Sequence, residues 1–424
     1  MCYFYMGILF IPSTINIIPQ SMLMGHFFYA TAFMTSMVRY KEFKMANFMP
    51  CPLFHALFFV FLSYILIGLF DFRGGMALNI YRAINAFIGS YFLFYFGWIS
   101  LTREEIHFIE PASEENDKYS LFFSLILPFT LIMTIYGVLI GFTHTNPVLD
   151  AVGLKDRFLK VGMMNFRNFR VTAMCVSSSV YGLVCATLFL CSFFLIKQRT
   201  RIQTIAIFLL LVNLLLTATR AAIIPFMIGL CVFTLLTKGM SGIVKKVLIV
   251  VTVILFLFPL LPEFITTFMT QLFDSIIDVT SPTGSGGKKY GESSVDARGI
   301  QIATAMEYLK EKPLFGHGFA YASETLLKGR SHAQLLGMES YLCFLGIERG
   351  IVNIVAELFF YISCLMFYYK NRIYNRLYAD LGIALIAMFI PFLIFAWVGG
   401  CWFFFMPVLG YITKVIYLNK EESY

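Results

Sequence analysis

At 424 residues, with 59% hydrophobic and only 13% charged residues and a mean hydropathy of +0.78, the chain lies far outside the composition of soluble globular domains. Its net charge of +8 comes from basic residues scattered through short segments between apolar runs, which excludes a nucleic-acid-binding domain with one concentrated basic face. The nine cysteines lie mostly inside apolar runs, with no CxxC and no Cys/His cluster at metal spacing, so they read as small core residues rather than a disulfide framework or metal site.

A helical span needs roughly 20 apolar residues. On that measure spans are predicted near 2–18, 21–38, 52–70, 79–101, 120–141, 171–196, 203–218, 221–237, 246–262, 347–369, 378–397 and 401–418, about twelve in all. The first, from Cys2 to Ile18, lacks a basic leader and a small-residue cleavage site and reads as a span rather than a removed signal. The basic segments 39–44, 197–201, 238–246 and 370–376 all fall on one side, which the positive-inside rule assigns to the cytoplasm together with both termini. Segments 71–73, 142–170 and 263–345 then face outward. Segment 102–119 is acidic and falls inside, which the rule tolerates because acidic residues orient spans only weakly.

The outward segment 142–170 carries Lys155, Arg157, Lys160, Arg167 and Arg170 on the side where basic residues are disfavoured. It is either a solvated loop that escaped the bias or an anion site. Arg220 falls at the tight turn between spans 203–218 and 221–237. An arginine at the bilayer centre costs roughly 2.5–3.5 kcal/mol on insertion scales, so Arg220 is expected to face a cavity or an anion, with snorkelling to the headgroups as the alternative.

The long outward segment opens with a predicted interfacial helix at 263–278 and a flexible linker, TSPTGSGGKKYGESS. Gly287-Lys288 fails the phosphate-loop pattern, because Pro282 stands where the upstream glycine belongs and Lys289 where the Ser/Thr belongs. Gly316-His317-Gly318 fails the dinucleotide pattern at Tyr321. From Val295 the spacing of Ile300, Ala303, Met306, Tyr308 and Leu309 predicts a helix that carries Arg298 in its first turn and ends at Lys312-Pro313. A second helix is predicted from about Gln334, with Glu339, Cys343, Gly346 and Gly350 on one face and the Gly346/Gly350 pair as a close helix contact. His317 and His332 read first as ordinary loop histidines, since two histidines alone do not make a site. The stretch from Arg298 to Ile354 is the longest that a bilayer could not bury, and the chemistry is expected there.

The segments LTATRAAIIPFMIGL, SVDARGIQIATAMEYLKEKPLFGHGFA and MESYLCFLGIERGIVNIVAELFF resemble, in order and spacing, the shared C-terminal region of the O-antigen polymerase (Wzy) and O-antigen ligase (WaaL) superfamily. The pattern is an arginine after Thr/Ser at the end of a span, a second arginine before a helix ending in a PLfGxGf phrase, and an HN-x-YL…G-x-x-G phrase leading into the next span. The resemblance covers roughly 202–360. It implies an all-α, polytopic membrane protein of about twelve transmembrane helices, like a C-type membrane glycosyltransferase, with a large outer loop between the ninth and tenth spans. The implied division is an N-terminal bundle (1–201) with outer loop 142–170, a catalytic region (202–360) that includes outer loop 263–345, and C-terminal helices (361–424).

The resemblance also implies a bacterial cytoplasmic-membrane enzyme whose site faces the periplasm or outside, acting on undecaprenyl-diphosphate-linked oligosaccharides as donor and acceptor with no metal or other cofactor. Arg220 and Arg298 match the two family arginines expected to hold the lipid diphosphate. Met338 falls where the ligase histidine would stand, which leaves the adjacent Glu339 as candidate general base, with His317, His332 and Tyr341 as further substrate-binding candidates. Arg157, Arg167 and Arg170 are candidates for a second lipid diphosphate. The expected function is a polymerase of O-antigen or capsule repeat units, with a chain-length regulator as a candidate partner. A ligase to lipid A-core is the nearest alternative, and the motifs give no support to a peptidoglycan polymerase of the shape–elongation–division type. A transporter or flippase would be expected to show two related halves and helices broken near the midplane, neither of which the sequence displays.

Overall fold

The computed structural model describes residues 16–18, 22–23, 49–99, 120–143, 145–148, 171–173, 175, 177–257, 295–326, 335, 340–396 and 401–422. Helices account for nearly all of them: α1 (Cys51–Phe70), α2 (Met76–Ile88), α3 (Phe92–Ile99), α4 (Leu121–Thr143), α5 (Ser178–Leu195), α6 (Arg201–Leu216), α7 (Arg220–Leu257), α8 (Val295–Glu311), α9 (Tyr341–Lys370), α10 (Arg376–Phe395) and α11 (Trp402–Glu422). A π-helical turn, Ala322–Leu326, follows α8. A small antiparallel pair, β1 (Asn16–Ile18) and β2 (Met22–Leu23), flanks the boundary predicted between the first two spans. The rest of those two spans, segment 102–119, most of 142–170 and residues 258–294 lie outside the described residues.

Among the described residues seven helices are long and apolar enough to cross a membrane, which makes the chain a multi-pass helical membrane protein. Four of them, α1, α4, α10 and α11, coincide closely with predicted spans. The predicted span 79–101 is instead two helices, α2 and α3, parted by a turn at Gly89–Tyr91. The physical reason is that α2 is amphipathic and too short to cross. It buries Asn79, Ala83 and Phe87 and exposes Met76, Leu78, Tyr81, Ile84 and Ile88. The predicted span 171–196 becomes helical only at Ser178.

Burial separates central from peripheral helices. The spanning window of α11 is 89% buried and that of α5 83%, against 44% for α1, so α11 and α5 form the interior while α1 lies at the periphery. Within the bundle, where no water satisfies polar groups, side chains bond across helices. Asn213 of α6 donates to the Thr134 carbonyl of α4 (2.9 Å) and accepts from the Tyr181 hydroxyl of α5 (2.9 Å). Asn353 of α9 donates to Ser63 Oγ of α1 (2.8 Å), and Tyr368 of α9 shares a bond with Thr413 of α11 (2.7 Å).

Two helices are broken by residues with non-helical backbone, α7 at Gly239 and α9 at Gly350. Each break sits at one end of a span-length segment rather than at its middle. Beyond Gly350 the helix runs on for the 20 residues 351–370, one bilayer thickness. The predicted close helix contact at Gly346/Gly350 is therefore corrected: a Cβ on Gly346 would lie 4.0 Å from the Leu309 side chain of α8, but Gly350 ends a helical segment. The helix predicted from about Gln334 begins at Tyr341. Helix α8 runs as expected to Glu311, yet its buried face is Gln301, Thr304 and Ala305, whereas Ile300 and Met306 are half exposed. Its apolar spacing does not mark one face: Tyr308 packs against the cluster that includes Cys343 and Ile347 of α9, whereas Ile300 and Met306 do not.

Candidate functional site

Breaking a helix inside an apolar bundle orphans carbonyls on one side and N–H groups on the other, and both must be satisfied locally. The loop after α8 does this for α9. The Ile351 and Val352 N–H groups donate to the carbonyls of Pro313 (2.8 Å) and Leu314 (3.1 Å). In return, His317 N–H donates to the Ile347 carbonyl (2.9 Å) and Gly318 N–H to the Glu348 carbonyl (2.8 Å). The PLFGHGF phrase is thus keyed into the GIERG phrase, and glycine is required on both sides. Gly350 has φ 68° and ψ −172°, a conformation open essentially only to glycine. A Cβ there would lie 2.5 Å from the Leu314 carbonyl oxygen, and one on Gly316 (φ +64°) would lie 2.5 Å from the Arg349 nitrogen.

The α1–α2 turn grips the same loop. Arg73 donates through Nε to Asp71 Oδ1 (3.0 Å) and through Nη2 to Asp71 Oδ2 (2.8 Å), and Nη2 also reaches the Phe319 carbonyl (3.1 Å). Its guanidinium lies 4.9 Å from the centre of the Tyr321 ring. Arg82 on α2 pairs with Glu324 in the π-helical turn (2.8 Å).

At the break lies Arg349. Its Nη1 donates to the Tyr64 hydroxyl, to the Tyr341 hydroxyl (3.0 Å) and to Glu357 Oε1 (3.1 Å). The guanidinium carbon sits over the rings of Tyr64 (4.7 Å) and Phe319 (5.1 Å), so helices α1 and α9 and the keyed loop all contribute to the cage. Tyr341 and Tyr64 also donate to Glu357 Oε1 (3.1 and 3.4 Å). An ionisable group at this depth is expected to be paired and to mark function. The adjacent Glu348 accepts from Ala322 N–H through Oε1 (2.9 Å), so its carboxylate pins the start of the π-helical turn.

The residues singled out in the sequence take these places. Tyr341 is in the Arg349 cage. His317 is buried against Tyr321, with ring centroids 4.6 Å apart, its Nδ1 3.1 Å from the Ile347 carbonyl and its Nε2 3.2 Å from Glu311 Oε2. Tyr308 meets His317 edge-on (5.6 Å), and burial, then the nearby Tyr321 and Glu311, pushes its phenol above the usual range. Arg298 lies in the first turn of α8, the helix that packs on α9. Arg220 is half-buried at the first position of α7, behind Thr219, whose hydroxyl donates to Ser178 Oγ at the start of α5 (3.0 Å). Arg157, Arg167, Arg170, His332 and Glu339 lie outside the described residues. Among the described residues no group of three or more His, Cys, Asp or Glu is placed to hold a metal.

Sequence reasoning missed Arg349, Glu357 and Tyr64. The available signal was a Glu-Arg pair inside an otherwise apolar run.

A multi-pass helical membrane protein with a polar loop keyed into a broken span around a buried arginine is the class these features define. Residues 205–358 match the family model described as O-antigen ligase (Wzy_C). That stretch therefore carries the domain of the O-antigen polymerase/ligase superfamily, in agreement with the resemblance over 202–360. Among curated proteins nothing matches the chain significantly.

Proposed function

We propose that the protein is a membrane glycosyltransferase of surface-polysaccharide assembly, polymerising repeat units carried on undecaprenyl diphosphate. The observation that carries this reading is the family match at 205–358, which contains Arg220, Arg298 and the whole keyed loop. The bond between the sugar C1 and the diphosphate oxygen of the donor breaks, and a hydroxyl oxygen of the lipid-linked acceptor forms the new bond to C1. The hydroxyl proton passes to Glu339, and undecaprenyl diphosphate leaves with the bonding electron pair. Negative charge grows on the leaving group. Arg220, at the positive end of α7, and Arg298 stabilise it, since forked guanidinium donors at a helix N-terminus favour an oxyanion. Arg157, Arg167 and Arg170 hold the diphosphate of the second lipid, and inversion at C1 is expected. The keyed end of the bundle faces the outside of the cytoplasmic membrane in this reading.

The ligase reading, transfer of a finished chain to lipid A-core, is favoured by the description of the family model. Met338, in the place of the ligase histidine, favours the polymerase. The glycan profile of a deletion strain separates the two. A core bearing a single repeat unit, restored to a ladder by wild type but by neither Arg220→Ala nor Arg298→Ala, supports the polymerase and the site. A bare core with lipid-linked polymer accumulating supports the ligase. Ladders from both variants would remove the diphosphate site. Lysine at either position should restore polymer only partly, because a point charge cannot make the forked contact.

A further inference from the structure

The three hydrogen bonds of the Arg349 guanidinium all leave from Nη1. Among the described residues Nε and Nη2 donate to nothing, and the side chain keeps 14% exposure. Two parallel N–H donors on one edge match the spacing of two oxygens of a phosphate, the contact for which arginine is suited and lysine is not. Arg349 stands next to the break at Gly350, at the end of the 20-residue span 351–370, and its guanidinium reaches Glu357 inside that span.

Next to this cage, on the far side of one tyrosine ring, is a groove between α1, α2 and α3 of about 430 Å³ whose lining includes Phe54, Phe58, Phe61, Ile84 and Phe87. The rings are continuous: Tyr64 lies 5.8 Å from Phe87, and Phe87 lies 5.0 Å from Phe61. Phe54 and Phe58 line the groove 40% and 52% exposed, on the part of α1 that leads away from Arg349. Along α1 the distance from Tyr64 to Phe54 is about 15 Å. A cationic fork and an apolar groove, parted by the single ring of Tyr64, are the two halves of a site for a phosphate-headed lipid.

We propose that Arg349 binds the diphosphate of a polyprenyl diphosphate through its Nε/Nη2 edge, with the first part of the polyprenyl chain in the α1–α2–α3 groove. The proposal rests on the lipid-linked substrate of the function proposed above, and it adds a third arginine and a place for the chain. Glu357 neutralises Arg349 without occupying the binding edge, so it serves as a positioning residue, as the carboxylate does in the Lys–Glu pair that presents a lysine to phosphates in kinases.

The test is equilibrium binding to the purified full-length protein in nanodiscs, using undecaprenyl diphosphate, the short-chain dimethylallyl diphosphate, and phosphatidylglycerol as competitor. Arg349→Lys should bind both diphosphates about tenfold or more weakly, through loss of the bidentate contact. Glu357→Gln should weaken both alike and by less. Phe58→Trp, at a lipid-exposed position of the groove, should weaken the long-chain ligand and leave the short one unchanged. Wild-type affinity in folded Arg349→Lys and Glu357→Gln would overturn the headgroup site, and wild-type affinity of Phe58→Trp for undecaprenyl diphosphate would overturn the groove. If neither Arg349→Lys nor Glu357→Gln folds, the Phe58→Trp comparison decides alone. Competition by phosphatidylglycerol at equal concentration would assign the site to bulk lipid and overturn the proposal. Failure of the wild type to bind undecaprenyl diphosphate at all would instead remove the proposed function itself.

Discussion

Helices α7 and α9 are broken by glycines of nearly identical conformation, Gly239 at φ 69°, ψ −173° and Gly350 at φ 68°, ψ −172°, yet their surroundings are opposite. A Cβ on Gly239 would meet nothing within 4 Å, whereas one on Gly350 would strike the backbone of Leu314 and Gly316. The first break is an open turn beside the basic segment 238–246. The second is a lock, in which a loop from elsewhere in the chain completes both severed ends of the helix. The same local backbone thus serves as a connection in one place and organises a site in the other, and what differs is the tertiary partner.

Replacing each glycine by alanine sharpens that contrast. Gly350→Ala should have the largest effect, since backbone strain and overpacking add to about 2–5 kcal/mol. It should be seen as a large fall in the apparent melting temperature of the detergent-solubilised protein and as loss of polymer. Gly316→Ala, on the loop side of the same lock, should follow at about 2–4 kcal/mol, from the left-handed backbone and the contact with Arg349. Asp71→Asn removes a buried partner of Arg73 and loosens the second grip on the loop, for a loss of about 1–3 kcal/mol. Gly239→Ala carries the strain without the collision and should cost about 1–2 kcal/mol, part of it offset in the unfolded chain. If Gly239→Ala and Gly350→Ala lower the melting temperature equally, the loop does not lock the break. The smallest effect is expected for Arg82→Ala, whose pairing with the half-exposed Glu324 contributes under about 1 kcal/mol.

Much of the membrane architecture was legible because it depends on one-dimensional quantities. Apolar run length locates α1, α4, α10 and α11, and the proline at 313 stops α8 close to where it should. The site was legible only in its motifs. PLFGHGF and GIERG could be recognised as phrases, but nothing in either states that the first closes a break in the second. The helical face Gly346/Gly350 was read as a contact between continuous helices because periodicity cannot distinguish a glycine that packs from one that breaks. In α8 the apolar period locates the helix but not its buried face: Ile300 and Met306 are half exposed, while Gln301 and Thr304 are buried. Apolar periodicity finds the buried face only when the other face meets water, a condition a membrane protein does not guarantee.

By itself the sequence determined that the chain is a multi-pass membrane protein and that residues 202–360 carry the superfamily's motifs, because hydrophobicity and motif spacing act along the chain. Only the tertiary structure decided that Arg349, Tyr64, Tyr341 and Glu357 share one cage, bringing Tyr64 and Glu357 together from 293 positions apart. The physical reason is that a buried guanidinium must find its partners in three dimensions, and those partners are drawn from α1, α9 and the loop, which folding alone brings together.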